Sequence, residues 1–225
     1  VAGHLMAKDL TELNPKAISE PLDQSFIERL RETVRTAGEE FEAFEFAAAL
    51  QIIEDFFWAD LCDNYLELVK VRAYSAEWTP GKRSALATLK TVLSVQLRLF
   101  APYLPFITEE IWSWLFAKPV GREQSIHTAS WPTIGELAGV SLPSEEDPYG
   151  AAVKVLFEVR RIKSEAKVSM KTPLRNLEIT GSAKVLNAIR SVLDDLLSVT
   201  NAPSAVLEER TVPDAQFQVR ATVGA

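Results

Sequence analysis

"FFWADLCDNYLELVK", residues 56–70, decides how this chain is read. Three large aromatics stand together, a single cysteine follows, and the stretch turns polar through Asp63, Asn64, Glu67 and Lys70. Apolar side chains recur at Phe46, Leu50, Ile53, Phe57, Leu61, Tyr65 and Leu68, in the steps of three and four that a helix requires. Consecutive helical residues are about 100° apart, so Phe56, Phe57 and Trp58 span about 200° of the surface. A helix that apolar is wrapped on more than one side. Core packing of all three rings then marks residues 46–61 as the central helix of a bundle, and the polar end beyond Leu61 can face a partner.

The flanking sequence supplies the rest of the bundle. Residues 22–41 carry Leu22, Phe26, Leu30, Val34, Ala37 and Phe41 at helical spacing, with Asp23 as the expected N-cap. The central helix runs over about 45–74 and is broken by "WTPGK" at 78–82, where Pro80-Gly81 reads as a turn. A third helix shows the stripe Leu86, Leu89, Leu93, Leu97 and Phe100. Pro102 and Pro105 interrupt it, and Pro105 suits the first turn of a fourth helix, "PFITEEIWSWLF" at 105–116. Four helices with short connections predict an α-helical bundle over 21–133, after a mobile leader at 1–20.

From Trp131 onward Pro132, Pro143, Pro148, Gly135, Gly139 and the run Glu145-Glu146-Asp147 predict a linker, placed at 134–148. Beyond it, 149–167 reads as a helix with Val153, Leu156, Phe157 and Arg160 in register. "LRNLEITG" at 174–181 alternates like a strand, 182–199 reads as a helix, and "SAVLEER" and "AQFQVRATV" read as two strands. The predicted fold class is mainly α: a four-helix bundle followed by a small α+β domain over 149–225.

The chain has 225 residues, is 47% hydrophobic and carries a net charge of −7. No run approaches 18 apolar residues, so no membrane helix is expected. A lone cysteine excludes an internal disulfide and fits a reducing, cytoplasmic compartment. The negative total argues against sequence-blind nucleic-acid binding. The charge is uneven, however. Pro21–Pro80 holds five Lys/Arg against thirteen Asp/Glu, whereas Lys154–Arg175 holds seven against two. Gly81–Phe100 has four cations and no acid.

Candidate chemistry is sparse. A nucleophilic cysteine needs a base and a lowered pKa, but only His4 and His127 are present, and Asp60 and Asp63 beside Cys62 would raise its thiol pKa. Two histidines and one cysteine at unrelated positions give no metal spacing. The carboxylate pairs Glu39-Glu40, Glu54-Asp55 and Glu109-Glu110 point in different directions on their helices. No glycine-rich phosphate loop occurs. "KVSMK" at 167–171 has the letters of the synthetase KMSKS loop in the wrong order and on the wrong side of the bundle. No catalytic residue, metal or cofactor is expected in this chain.

"FFWADLCDNYLELVK", "FAPYLPFITEEIWSWLF" and "SIHTASWP", in this order and spacing, resemble the anticodon-binding bundle of the valyl-tRNA synthetases. The resemblance covers about 21–133 and continues more weakly through "EVRRIKSEAKVSMKTPL". The P-F-x-T-E-E-x-W element is shared with isoleucyl- and leucyl-tRNA synthetases, so the same region of an isoleucyl enzyme is the near alternative. Trp58, Cys62, Asp63, Tyr65, Leu66, Glu67 and Lys70 favour the valyl family. The family's catalytic and editing domains have no counterpart here, and "AGHL" at 2–5 is not its HIGH motif.

The resemblance implies a tRNA-binding part of a valine–tRNA ligase, whose full-length form uses ATP with magnesium. Its partners would be the anticodon stem-loop of valine tRNA and the catalytic domain of the same enzyme, with the chain a monomer. A family contact with the anticodon maps onto Leu66. Lys70, Arg72, Lys82 and Arg83 cluster in sequence around the following turn and are the expected phosphate contacts. The alternative from another class is a protein–protein interaction bundle, which the acidic 21–80 region favours. Cations gathered on one surface, apart from the acids, would favour RNA.

Overall fold

In a computed structural model, the described residues are 13–117, 125–145, 147–211 and 217–224. Helix α1, Pro21–Glu42, starts with proline at its first position, where the missing amide costs nothing. Its expected stripe is buried from Leu22 through Phe26, Leu30 and Val34 to Ala37. Asp23 is not the N-cap, which falls at Glu20; it sits inside the first turn, fully buried.

The central run comprises α2, Phe46–Asp55, a π-helical stretch, Phe56–Tyr65, and α3, Leu66–Tyr74. At the end of the wide stretch the Leu66 amide donates to the Leu61 carbonyl five residues back. The wider turn changes which residues face inward. Ile53, Phe56, Leu61 and Tyr65 are buried, with a step of five between Phe56 and Leu61. The regular 3.6 period fails there. Phe57 is only half-buried, while Trp58 (61% exposed) and Phe46 face solvent. Core packing therefore explains one ring of the three fully, not all of them.

Helix α4, Pro80–Phe100, is capped by Thr79, whose hydroxyl accepts from the Lys82 amide at 3.1 Å. Pro80 opens this helix rather than occupying the turn before it. Helix α5, Pro105–Leu115, begins at the proline that suits its first turn. A short α6, Ile134–Leu137, is followed by α7, Pro148–Glu165. Then come β1, Leu174–Gly181, α8, Ala183–Arg190, and α9, Leu193–Thr200, in place of the single helix read over 182–199. Strands β2, Val206–Glu209, and β3, Gln218–Val223, complete a sheet of order β2-β1-β3. β1 pairs parallel with β2 and antiparallel with β3. The fold is thus a mainly α bundle with a small α+β portion.

Phe26 stacks on Tyr65 with ring centroids 3.8 Å apart and planes 5° from parallel. Phe56 and Tyr149 flank the same ring at 5.3 and 5.0 Å, so α1, the π-helical stretch and α7 share one aromatic centre. The buried apolar cluster around it is continuous from Leu13 to Ala202 and includes Leu177, Ile179, Leu186 and Ile189 of the α+β portion. The residues read as a linker are packed down: Leu137 and Val140 are buried, and Arg31 donates to both their carbonyls, at 2.5 and 2.8 Å. Leu13 and Ile18, within the segment read as a leader, are also buried. His4 lies outside the described residues.

Candidate nucleic-acid interface

The five residues singled out around the 66–83 turn divide into two groups. Arg72 is enclosed. Its guanidinium donates to both Asp23 oxygens at 2.9 and 3.0 Å, to both Asp195 oxygens at 2.7 and 3.0 Å, and to the Gly81 carbonyl at 2.8 Å. Burial pulls its pKa down, but the two aspartates outweigh this and hold it above the ordinary arginine value. Tyr65 and Ser84 hydroxyls also donate to Asp23, at 2.8 and 2.6 Å. Lys82 is buried; its ammonium donates to the Ser75 carbonyl and sits 5.4 Å over the Trp78 ring. Arg72 and Lys82 are thus spent inside the fold.

Lys70 and Arg83 are different. Lys70 is exposed and pairs with Glu67 at 3.1 Å, one turn away on the same helix. Arg83 is exposed in the first turn of α4, with no ion pair among the described residues. Leu66 is half-buried and packs against the main core.

Lys70 opens onto a cleft of ≈ 500 Å³ between α3, α7, the 166–173 loop and the C-terminal end of α9. Its open apolar surface is made by Val71 and Met170, with half-buried Val199 beside them and buried Leu156 and Val159 beneath. Its polar wall carries Lys70, Arg160, Lys163 and Lys171, with Glu67 on the same side as Lys70. The cations come from two sequence regions about ninety residues apart.

Three of them belong to the basic stretch 154–175, where no individual residue stood out in sequence; only its charge balance was a signal. Arg160 donates to the Asn64 side chain at 2.9 Å and to the Asp63 carbonyl at 2.6 Å, fastening α7 to the π-helical stretch. Lys163 is buried and donates to the Met170 and Thr200 carbonyls, each at 2.9 Å. Burial lowers its ammonium pKa. Lys171 is exposed at the cleft mouth, and Lys154, Lys167 and Arg175 are exposed outside it. Single-stranded nucleic acid needs both features this cleft combines: apolar surface for unstacked bases and cations for phosphates.

Cys62 is partly buried, and burial together with Asp63 pushes its thiol pKa up, away from nucleophilic use. His127 is exposed in a short 3-10 turn. Among the described residues no three His, Cys, Asp or Glu side chains gather as metal ligands, and no helix is long and apolar enough to cross a membrane.

Residues 23–179 match the family model described as the anticodon-binding domain of tRNA ligase. The chain is 41% identical over 189 residues to the valine–tRNA ligase of Cutibacterium acnes, covering 83% of this chain and 21% of that protein. It is 40% identical over 214 residues to the valine–tRNA ligase of Thermobifida fusca, covering 95% and 23%. With that of Salinispora tropica it shares 42% identity over 193 residues, covering 80% and 22%. The chain spans about a fifth of the length of these curated relatives.

Proposed function

The chain belongs to the anticodon-binding domain family of tRNA ligases, and on that premise we propose that it binds the anticodon stem-loop of a valine tRNA in the cleft between α3, α7 and α9. The supporting observation is the convergence of Lys70, on the polar end of the central helical run, with Arg160 and Lys171 from the basic stretch. An acidic chain that gathers cations around one apolar cleft has a local site for a polyanion. Unstacked anticodon bases would enter against Val71 and Met170, while Leu66, at the start of α3, packs on the core outside the cleft lining. Lys70, Lys171 and, beyond the cleft, Arg83 would hold phosphates. Arg72 and Lys82 would act by keeping α3, α4 and α9 in place.

In this reading the chain serves a cytoplasmic valine–tRNA ligase and works beside that enzyme's catalytic domain, as one copy. Such a ligase attaches valine to its tRNA at the expense of ATP with magnesium. No residue here is assigned to ATP, because the 225 residues contain no glycine-rich phosphate loop. The test is a binding titration with a valine anticodon stem-loop and with the same stem-loop carrying an altered anticodon. Tighter binding to the valine loop is expected. No binding to either at low salt would overturn the proposal.

A further inference from the structure

The central run from Phe46 to Tyr74 is about 40 Å long, and its two ends differ in character. The cleft lies at the α3 end. At the α2 end, Phe44 is 80% exposed and Phe106 88%, with Phe46, Leu104 and Ile107 exposed beside them. The turn before α2 with that helix's first residue, and the turn before α5 with that helix's first residues, carry these side chains, and the two are tied together. The Tyr103 hydroxyl donates to the Phe46 carbonyl at 2.8 Å, and the Phe41 ring touches both Phe46 and Tyr103, with centroids 4.9 and 6.4 Å away. Phe44 has φ 64°, a left-handed conformation that is strained for an aromatic residue. Scattered exposed apolar residues are ordinary, but five carried by two helix starts that are tied to each other mark a contact surface.

The rim says what kind of contact. Glu40, Glu42 and Glu45 flank Phe44 in sequence and Glu110 follows Phe106, while Glu109 is turned to the Ser125 hydroxyl and Ile126 amide, which donate to it at 2.9 and 2.8 Å. Residues 36–69 and 99–117 contain no lysine or arginine. Phosphate is repelled by such a rim, and a second copy would bring the same acids against it. We propose that this end docks on a protein surface with an apolar centre and a basic rim, carried by another domain of the ligase. The proposal rests on the reading above that the chain works within such an enzyme, whose relatives are about four times its length.

Hydrogen exchange compares the chain alone with the full-length ligase that contains it. Peptides over 41–47 and 103–108 should exchange at least about tenfold more slowly in the full-length protein. Phe44→Ser with Phe106→Ser should remove that protection and leave stem-loop binding by the chain unchanged. Equal exchange in both proteins would overturn the proposal. So would protection that appears only when tRNA is added, or a dimer of the chain alone that the double variant dissolves. If protection stands while the stem-loop titration fails, the RNA reading falls and the docking surface does not.

Discussion

Arg72 and Lys70 lie two residues apart on one helix and have unrelated tasks. Arg72 follows Leu68 by four and Tyr65 by seven, so the helical period already put it on the core face, whereas Lys70 falls off that face. Charge and proximity alone grouped them. Their separation needed Asp23 and Asp195, which are far away in sequence, and no local pattern announces that pairing. Arg72→Met leaves Asp23, which is fully buried, without its counter-charge, and should cost about 3–5 kcal/mol in urea unfolding. Arg72→Lys should not restore it, since one ammonium cannot serve two carboxylates and the Gly81 carbonyl at once. A loss below about 1 kcal/mol for Arg72→Met would contradict the enclosed network.

At the scale of elements, helices α1, α4 and α5 and strand β1 were legible because their apolar periods are regular; of the prolines that open the three helices, only Pro105 reads as a start in sequence, whereas Pro80 reads as a turn. The π-helical stretch was not, since one extra residue per turn leaves no mark in composition. It turned Trp58 outward and left Phe57 half-buried. The 134–148 segment misled in another way: its prolines and glycines suggested slack chain, but Arg31 and Glu136 bind it down. Glu136 accepts from Arg98 at 3.1 and 2.6 Å and from the Thr133 amide at 3.0 Å. Burial pushes its carboxyl up, but these bonds outweigh that and hold it below the ordinary 4.5. Its contribution is therefore complete above pH 4.5 and fades as pH falls through the lower folded value. Glu136→Gln should cost up to about 1 kcal/mol at neutral pH, because Glu136 is two-fifths exposed. The gap between variant and parent in urea midpoint should narrow as pH falls below 4.5. A gap that stays constant with pH would refute the ionic origin.

For the whole molecule, the uneven charge of the sequence becomes geography. The aromatic end carries no lysine or arginine over 36–55 and 99–110, and cations meet around the cleft at the other. That two such separate regions converge was beyond sequence reasoning, because it depends on α7 returning alongside the π-helical stretch through Tyr149 and Arg160. The measurement that tests this account most directly is the salt dependence of stem-loop binding by the parent chain, Lys70→Ala and Lys171→Ala. Both side chains are exposed, so thermal midpoints should hold within a degree or two for each variant. Each substitution should weaken binding at low salt and lower the slope of log K against log salt by about 1. Parent and variants sharing one slope and one affinity would mean that the cleft does not hold RNA.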